Sequence, residues 1–90
     1  MKQYKVVFSD RAKKDLKKLD KHIQALLIGW IEKNLQNCEN PRIHGKGLTS
    51  NKSREWRYRI GNYRIICEIK DKEILILLLN IGHRREIYEK

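Results

Sequence analysis

Hydrophobic and polar positions along the 90-residue chain follow two different periods, and the change falls near the middle of the sequence. In the first part, apolar side chains recur every three or four residues, which predicts amphipathic helices. From Arg54 onward they recur at every second residue, which predicts β-strands. A segment rich in valine and aromatic residues, Tyr4–Phe8, precedes the first helical pattern and is typical of a strand.

The helical pattern divides into two helices. The first begins at Ser9 or Asp10, either of which can cap it, and its apolar face consists of Ala12, Leu16 and Leu19. The second follows a cap at Asp20, and its apolar stripe consists of Ile23, Leu26, Leu27, Trp30, Ile31 and Leu35. Because only Asp20 separates the two patterns, we expect an antiparallel helical hairpin.

A loop and a β-rich half follow. Residues 37–53 contain Pro41, Gly45 and Gly47 and are predicted to form the loop. Two-residue turns, Gly61-Asn62 and Asp71-Lys72, then separate three predicted strands, Arg54–Ile60, Tyr63–Lys70 and Glu73–Ile81. The order β-α-α-β-β-β predicts an α+β fold, with a mostly antiparallel four-stranded sheet and the helical hairpin packed on one face. At this length we expect a single domain over residues 1–90.

Two-residue turns also predict the register of the strands. Arg59 then faces Arg64 across the first turn, and Cys67 faces Ile76 across the second. The sheet face expected to receive the helices holds Trp56, Tyr58, Ile60, Tyr63, Ile65, Cys67, Ile69, Ile74, Ile76 and Leu78. The opposite face holds Arg57, Arg59, Arg64, Ile66, Glu68, Leu75, Leu77, Leu79 and Ile81.

This second face is the candidate functional surface. Like charges directly opposite in a sheet are destabilising by a few tenths to about 1 kcal/mol, so a purely structural sheet has little reason to pair Arg59 with Arg64. The third strand returns toward the Gly61 turn, so we expect His83, Arg84 and Tyr88 to converge with these arginines. Arginine presents a fixed fork of donors that matches phosphate oxygens two at a time. The apolar positions on the same face predict contact with a protein partner, and they are Ile66, Leu75, Leu77 and Leu79.

Charge supports a polyanionic or acidic partner. The chain has 21 Lys and Arg against 11 Asp and Glu, a formal charge of +10, and both halves of the sequence are basic. The first helix contributes a basic outer surface that includes Lys13, Lys14 and Lys17. With 40% hydrophobic and 36% charged residues of mixed sign, the chain is expected to fold rather than to remain a disordered polyelectrolyte.

Other classes of protein are disfavoured. The longest unbroken apolar run, Ile74–Leu79, is far shorter than the roughly 20 residues that a membrane span needs, and the first residues lack a signal-peptide pattern. We therefore expect a cytoplasmic protein without membrane contact. Cys38 and Cys67 are predicted to be free thiols, the first in a loop and the second in the core. The three histidines are scattered, so neither a metal nor another cofactor is expected.

Three segments taken together resemble a known family. They are His44–Leu48, Glu55–Ile66, with its Tyr-Arg pair at Tyr63-Arg64, and Ile81–Tyr88, with Gly-His-Arg at its start. In this order, and at this length and charge, the sequence resembles the RelE family of bacterial toxins from type II toxin–antitoxin modules, within the wider RelE/ParE superfamily. The resemblance covers nearly the whole chain, including the β-α-α-β-β-β order.

The resemblance implies a ribosome-dependent endoribonuclease that cleaves mRNA in the A site without a metal. In such a reaction the 2′-OH attacks the adjacent phosphate and a 5′-OH leaves. By position, Arg64 and Arg84 would stabilise the phosphate, and Tyr88 would orient the substrate near the 2′-OH. His83 is the best candidate for acid–base catalysis, because the unperturbed pKa of histidine, about 6.5, suits proton transfer near neutrality. Further RNA contacts are assigned to Lys46, Arg57, Arg59, Lys13, Lys14 and Lys17.

The resemblance also implies partners and leaves alternatives. The expected partners are the ribosome, mRNA and a small acidic antitoxin, which would neutralise the basic surface, cover the apolar positions and form a hetero-oligomer with the toxin. One alternative is the ParE branch, whose members poison DNA gyrase and lack a nuclease site. Another is a non-catalytic module that binds RNA or the ribosome, which the charge of +10 alone would fit.

Overall fold

The computed structural model describes residues 2–49 and 52–83, which form two helices and five strands. In chain order these elements are β1 (Lys5–Phe8), α1 (Asp10–Lys17), α2 (Lys21–Asn34), β2 (Lys46–Thr49), β3 (Lys52–Ile60), β4 (Tyr63–Lys70) and β5 (Leu75–His83). The predicted α+β class is confirmed, with five strands in place of four.

The helices begin close to where their apolar patterns predict. Ser9 caps α1, and its hydroxyl accepts a hydrogen bond from the backbone N–H of Ala12 at 3.0 Å. Asp20 is the N-cap residue of α2, but its side chain makes no capping hydrogen bond. Within the described part of the chain, no helix is long and apolar enough to cross a membrane.

Both helices contribute to one core on a single face of the sheet. Ala12 of α1, Leu27 and Ile31 of α2, and Leu35 at the C-cap of α2 are buried there. The strands contribute much of the predicted helix-facing set, and its members with at most 8% exposure are Tyr58, Ile60, Ile65, Cys67, Ile69, Ile76 and Leu78. Cys67 is a buried free thiol and Cys38 a half-buried one, as predicted.

The strands lie in the order β1-β5-β4-β3-β2, and only β1 pairs in parallel, with β5. The outer edge of β1 is covered by the segment that follows α2. The Tyr4 N–H donates to the Cys38 carbonyl at 2.8 Å, and the Asn37 N–H donates to the Tyr4 carbonyl at 2.8 Å. These two bonds pair the backbone N–H and carbonyl of Tyr4 at the entry to β1, where an exposed edge could otherwise recruit another strand.

Strand β2 was missed by the sequence analysis. Residues 46–49 lie inside the predicted loop, yet they pair antiparallel with β3, placing Lys46 opposite Arg57 and Gly47 opposite Trp56. Only Leu48 of these four residues is strongly apolar, so no alternation was visible. The strand forms because β3 offers it a hydrogen-bonding edge.

The β3–β4 hairpin has the predicted register. Ile60 pairs with Tyr63 and Arg59 with Arg64 across the two-residue turn. Gly61 has a positive φ of 59°, the conformation that a type II′ turn requires at its first central position. Glycine adopts this conformation without the steric cost that a Cβ would impose.

The predicted β4–β5 turn is wrong. Strand β4 ends at Lys70 and β5 begins at Leu75, so four residues, Asp71–Ile74, make the connection in place of two. Ile74 adopts a positive φ of 53°, which its β-branched side chain gave no reason to expect. The longer loop moves the partner of Cys67 from Ile76 to Leu78.

A β-bulge then changes which side chains of β5 face the helices. Cys67 pairs with Leu78 and Ile66 with Asn80, so β5 has one extra residue, Leu79, at this point. Beyond the bulge, Ile81 pairs with Ile65 and is 3% exposed in the core. Its predicted place on the opposite face is therefore wrong, because the prediction assumed an uninterrupted ladder.

Candidate phosphate-binding site on the arginine face

Three arginines lie on the sheet face away from the helices, which we call the arginine face. Arg59 pairs with Arg64, and Arg64 pairs on its other side with Gly82 of β5. Residues paired across neighbouring strands form a row, and Arg57 belongs to the next row on the same face, between Lys46 of β2 and Ile66 of β4. Directly paired side chains share a face of the sheet and lie about 5 Å apart at Cβ, so the predicted placement of Arg57, Arg59 and Arg64 on one face is confirmed.

A cleft of about 270 Å³ opens beside these rows and is lined by Gly45, Lys46, Arg57 and Arg59. Arg59 is exposed and Arg57 half-buried, so one guanidinium is open to solvent and the other is partly shielded. Arg64, which pairs with Arg59, is half-buried, and its Nε atom is fully buried. Three cationic side chains around one concave surface favour a phosphate-sized anion.

Gly45 lets strand β2 approach β3 at the cleft. Its φ is +78°, and a Cβ at this position would lie 2.1 Å from the Arg57 carbonyl oxygen and 2.9 Å from the indole nitrogen of Trp56. Neither the backbone angle nor the space tolerates another residue. This glycine lines the cleft, although the sequence predicted it to lie in a loop and in the His44–Leu48 segment without a role in the site. The signal that could have found it is its place directly before Lys46.

Two aromatic side chains of β3 hold the segment before Gly45 through hydrogen bonds to its backbone carbonyls. The Trp56 indole N–H donates to the His44 carbonyl at 2.6 Å, and the Tyr58 hydroxyl donates to the Pro41 carbonyl at 2.5 Å. Tyr58 is fully buried, and burial raises the pKa of its hydroxyl far above the usual range. It therefore remains a hydrogen-bond donor at every physiological pH.

A charged cluster fixes the same segment at the β4–β5 loop. Arg42 donates from Nη1 and Nη2 to the two carboxylate oxygens of Asp71, each at 3.0 Å, and the Tyr4 hydroxyl donates to Oδ1 at 2.8 Å. The Arg42 hydrogen bonds hold the pKa of Asp71 below its usual range, despite an opposing effect of desolvation. The hydrogen bond to Asp71 in turn raises the pKa of Tyr4.

His83 lies apart from the arginines. It pairs with Tyr63 in the sheet, and their rings meet edge to face with centroids 5.4 Å apart. Tyr63 packs against the core, so the imidazole lies on the helix side of the sheet rather than among the guanidinium groups. The expected convergence of His83 with the arginine face is wrong, because the bulge at Leu79 reverses the facing of the residues after it.

The remaining predicted site residues have different locations. Arg84 and Tyr88 lie outside the described residues. Lys13, Lys14 and Lys17 are exposed on α1, which packs on the opposite face of the sheet from the cleft. Lys13 and Lys17 rim a separate groove of about 340 Å³, whose other lining residues are Phe8, Leu16, Gln24 and Ile28.

The apolar surface on the arginine face differs from the prediction at two positions, because Ile66 is buried and Val7 also contributes to it. Ile66 is buried at 7% exposure, whereas Leu75, Leu77 and Leu79 are half-buried. Val7 of β1 pairs with Leu77 and is 42% exposed, so it extends the apolar surface across the parallel pair. Val7 was not predicted to belong to this surface, because the sequence pattern does not show that β1 lies beside β5.

Comparison with known proteins identifies a family. The family described as the ParE toxin of the type II toxin–antitoxin system matches residues 6–88. Toxin RelG of Mycobacterium tuberculosis is 30% identical over 87 residues, which cover 97% of this chain and 98% of the relative. A putative RelE-like toxin protein of Escherichia coli is 29% identical over 91% of this chain and 84% of its own length.

Solved structures agree with the fold. The toxin–antitoxin complex RelBE2 of Mycobacterium tuberculosis contains a chain with a TM-score of 0.79 and 29% identity, covering 91% of this chain and 99% of that one. The isolated E. coli RelE toxin has a TM-score of 0.72 at 22% identity, over 89% and 83% of the two chains. Together with the family match, these similarities establish that the chain belongs to the RelE/ParE superfamily of toxins from type II toxin–antitoxin systems.

Proposed function

We propose that this toxin is a ribosome-dependent endoribonuclease that cleaves mRNA in the A site and so inhibits translation. The observation that carries the proposal is the direct pairing of Arg59 with Arg64 beside the cleft that Lys46 and Arg57 line. A pair of like charges costs stability in a sheet, and binding of a phosphodiester would relieve that cost.

The proposed chemistry needs no metal ion. The ribose 2′-oxygen forms a bond to the adjacent phosphorus while its proton passes to a base, and the bond from phosphorus to the 5′-oxygen breaks as an acid protonates that oxygen. The products are a 2′,3′-cyclic phosphate and a 5′-OH. We assign stabilisation of the charge that develops on the phosphoryl oxygens to Arg64, with Arg57, Arg59 and Lys46 binding the flanking phosphates.

Proton transfer is assigned to His83, and orientation of the substrate near the 2′-OH to Tyr88. Arg84 joins Arg64 in stabilising the phosphate. The imidazole of His83 contacts Tyr63 on the helix side, so a packing role competes with the role in proton transfer. If His83 transfers a proton, the pH profile of cleavage changes in His83→Ala. If it only packs against Tyr63, that variant loses stability and keeps the profile.

Primer extension on programmed ribosomes tests the ribonuclease proposal. Wild type should cut within the A-site codon, and Arg64→Ala should cut at least about 100-fold more slowly, since one lost stabilising donor in a preorganised site has this effect. Arg64→Lys should recover only part of the rate, because lysine lacks the bidentate fork. The control is Lys33→Ala, which removes one exposed charge from α2 and should cut normally.

The family match also favours a second candidate, a DNA gyrase poison of the ParE type. Growth arrest with intact mRNA and trapped gyrase–DNA complexes would support that candidate and contradict the ribonuclease proposal. Tight binding to ribosomes without cleavage, together with growth arrest, would instead indicate a non-catalytic RNA-binding toxin.

We further propose that an acidic antitoxin covers the apolar part of the arginine face. Leu79 precedes Asn80, which pairs with Ile66 in the row of Arg57, and Leu77, which pairs with Glu68, continues the apolar surface towards Val7 and Leu75. An amphipathic segment whose acidic side chains face the arginine rows therefore contacts both surfaces at once. Leu77→Lys should weaken co-purification of the antitoxin at least about tenfold. Leu26→Lys, at a 50% exposed position on α2, is the matched control and should leave the complex intact.

A further inference from the structure

Asp71 lies at the centre of contacts that join three distant parts of the chain. Its carboxylate receives two parallel hydrogen bonds from Arg42 and a third from Tyr4. Asp71 belongs to the β4–β5 loop and Arg42 to the segment before β2, and Tyr4 directly precedes β1. Their sequence separations from Asp71 are 29 and 67 residues, so this one carboxylate fixes the relative position of three backbone segments.

Arg42 is held in a second way. Its guanidinium carbon lies 5.7 Å from the centroid of the Trp56 ring, a distance at which a cation is attracted to the aromatic face. The indole N–H of the same tryptophan donates to the His44 carbonyl. Asp71 therefore orients Arg42 over Trp56, and Trp56 holds the backbone two residues further along.

The anchored segment leads directly into the cleft. His44 is followed by Gly45, which lines the cleft, and by Lys46, which lines it opposite Arg57. We propose that Asp71 is a positioning residue for the phosphate site: through Arg42 it holds residues 41–46 so that Lys46 reaches the same phosphate group as Arg57. This inference rests on the proposed binding of RNA at the arginine face.

Net charge alone and a positioning role predict opposite effects of replacing Asp71 on the affinity for RNA. Replacing it with asparagine raises the net charge from +10 to +11 and releases a guanidinium from its ion pair. By electrostatics alone, such a variant binds a polyanion more tightly. If Asp71 positions Lys46, the same variant binds more weakly, because Lys46 no longer contacts the phosphate.

The affinity for programmed ribosomes distinguishes an effect of net charge from a positioning role. The ribosomes carry a 2′-O-methylated A-site codon, which cannot be cleaved, so binding is measured without the reaction. Asp71→Asn should weaken binding about three- to tenfold and lower the slope of log K against log salt by about 1, the change expected when one phosphate contact is lost. Lys46→Ala should show the same loss, and the double variant should lose little more. Arg42→Lys keeps the charge, loses the fork and should give an intermediate affinity.

Glu73→Gln is the matched control. It lies in the same loop and removes the same charge, but it has no hydrogen bond among the residues that the structure describes. It should bind as tightly as wild type or slightly more tightly. If Asp71→Asn binds as tightly as Glu73→Gln with an unchanged salt slope, the positioning role is overturned while the proposed function stands. If wild type and Glu73→Gln both fail to bind the ribosome, the proposed function fails, and this inference fails with it.

Discussion

Asp15 on α1 accepts a hydrogen bond from the backbone N–H of Ile81 on β5, with 3.0 Å between Oδ2 and the nitrogen. Strand β1 pairs with β5 only as far as Leu78, so the sheet leaves this N–H without a strand partner on that side. Helix α1 thus provides a hydrogen-bond acceptor for β5 just before Gly82 and His83. A single carboxylate thereby links the first helix to the strand end beside the arginine face.

Asp15→Ala should lower the free energy of unfolding by about 2 kcal/mol, because it leaves a buried backbone donor unsatisfied and removes a charge-assisted bond. Urea unfolding followed by circular dichroism measures the loss. Arg11→Ala tests the ion pair alone and should cost under about 0.5 kcal/mol, since Arg11 is 72% exposed. Asp10→Ala removes the same charge from the same helix. Equal losses in Asp15→Ala and Asp10→Ala would contradict a specific role for the Ile81 bond.

Two glycines should respond in opposite directions to alanine. Gly45→Ala should destabilise the protein by about 3 kcal/mol, because its positive φ and its contact with the Arg57 carbonyl both exclude a Cβ. Gly29 lies inside α2 with nothing within 4 Å of an added Cβ, so Gly29→Ala should stabilise it by roughly 0.5–1 kcal/mol. Thermal unfolding of both variants checks the signs. A neutral Gly45→Ala would show that β2 does not approach β3 as closely as described.

The helices and the first hairpin could be predicted because local rules determine them. Ala12 and Leu27 follow helical periodicity, and Gly61 specifies the turn that pairs Arg59 with Arg64. These features depend on residues close together in the sequence, so the pattern of one segment was sufficient to predict them.

The parts that could not be predicted depend on distant contacts. The β4–β5 loop has four residues in a structure where Asp71 bonds to Arg42 and Tyr4, neither of which lies nearby in the sequence. Strand β2 depends on the edge of β3, and the bulge at Leu79 lies where Ser9 donates to the Leu79 carbonyl. The facing of His83 follows from that bulge. Because the prediction did not include the one extra residue in β5, it placed the imidazole of His83 on the wrong face of the sheet.

The two thiols should react at very different rates. Burial raises the pKa of Cys67 to about 12, and this residue has no exposed surface. Cys38 is half-buried, and its pKa is raised by the same cause. A thiol reagent at pH 8 should therefore modify Cys38 first, and Cys67 only at the rate of global unfolding. Mass spectrometry of wild type and Cys38→Ser measures both rates. Rapid labelling of Cys67 under native conditions would contradict its burial in the core.

Acid should reduce the stabilisation that Asp71 provides, because protonation removes the charge of its carboxylate. Its pKa is lower in the folded protein than in the unfolded chain, chiefly through the hydrogen bonds from Arg42. The stabilisation is therefore fully present above the unfolded value, about 3.9, and is lost as the pH falls through the folded value. Wild type should be more stable than Asp71→Asn by a constant amount from about pH 5 to 7, with the difference shrinking below about pH 4. Because the Asp71 side chain is 47% exposed, solvent screening keeps the difference small.

Urea unfolding at several pH values measures that difference, with Glu73→Gln as the control from the same loop. The Tyr4 hydroxyl gives the opposite sign, since its bond to Asp71 raises the pKa of Tyr4 and the stabilisation is lost as the pH rises through the folded value. Wild type should thus lose its advantage over Asp71→Asn at both acid and alkaline extremes. An advantage that stays constant down to about pH 2.5 would mean that the stabilisation does not depend on the charged form of Asp71.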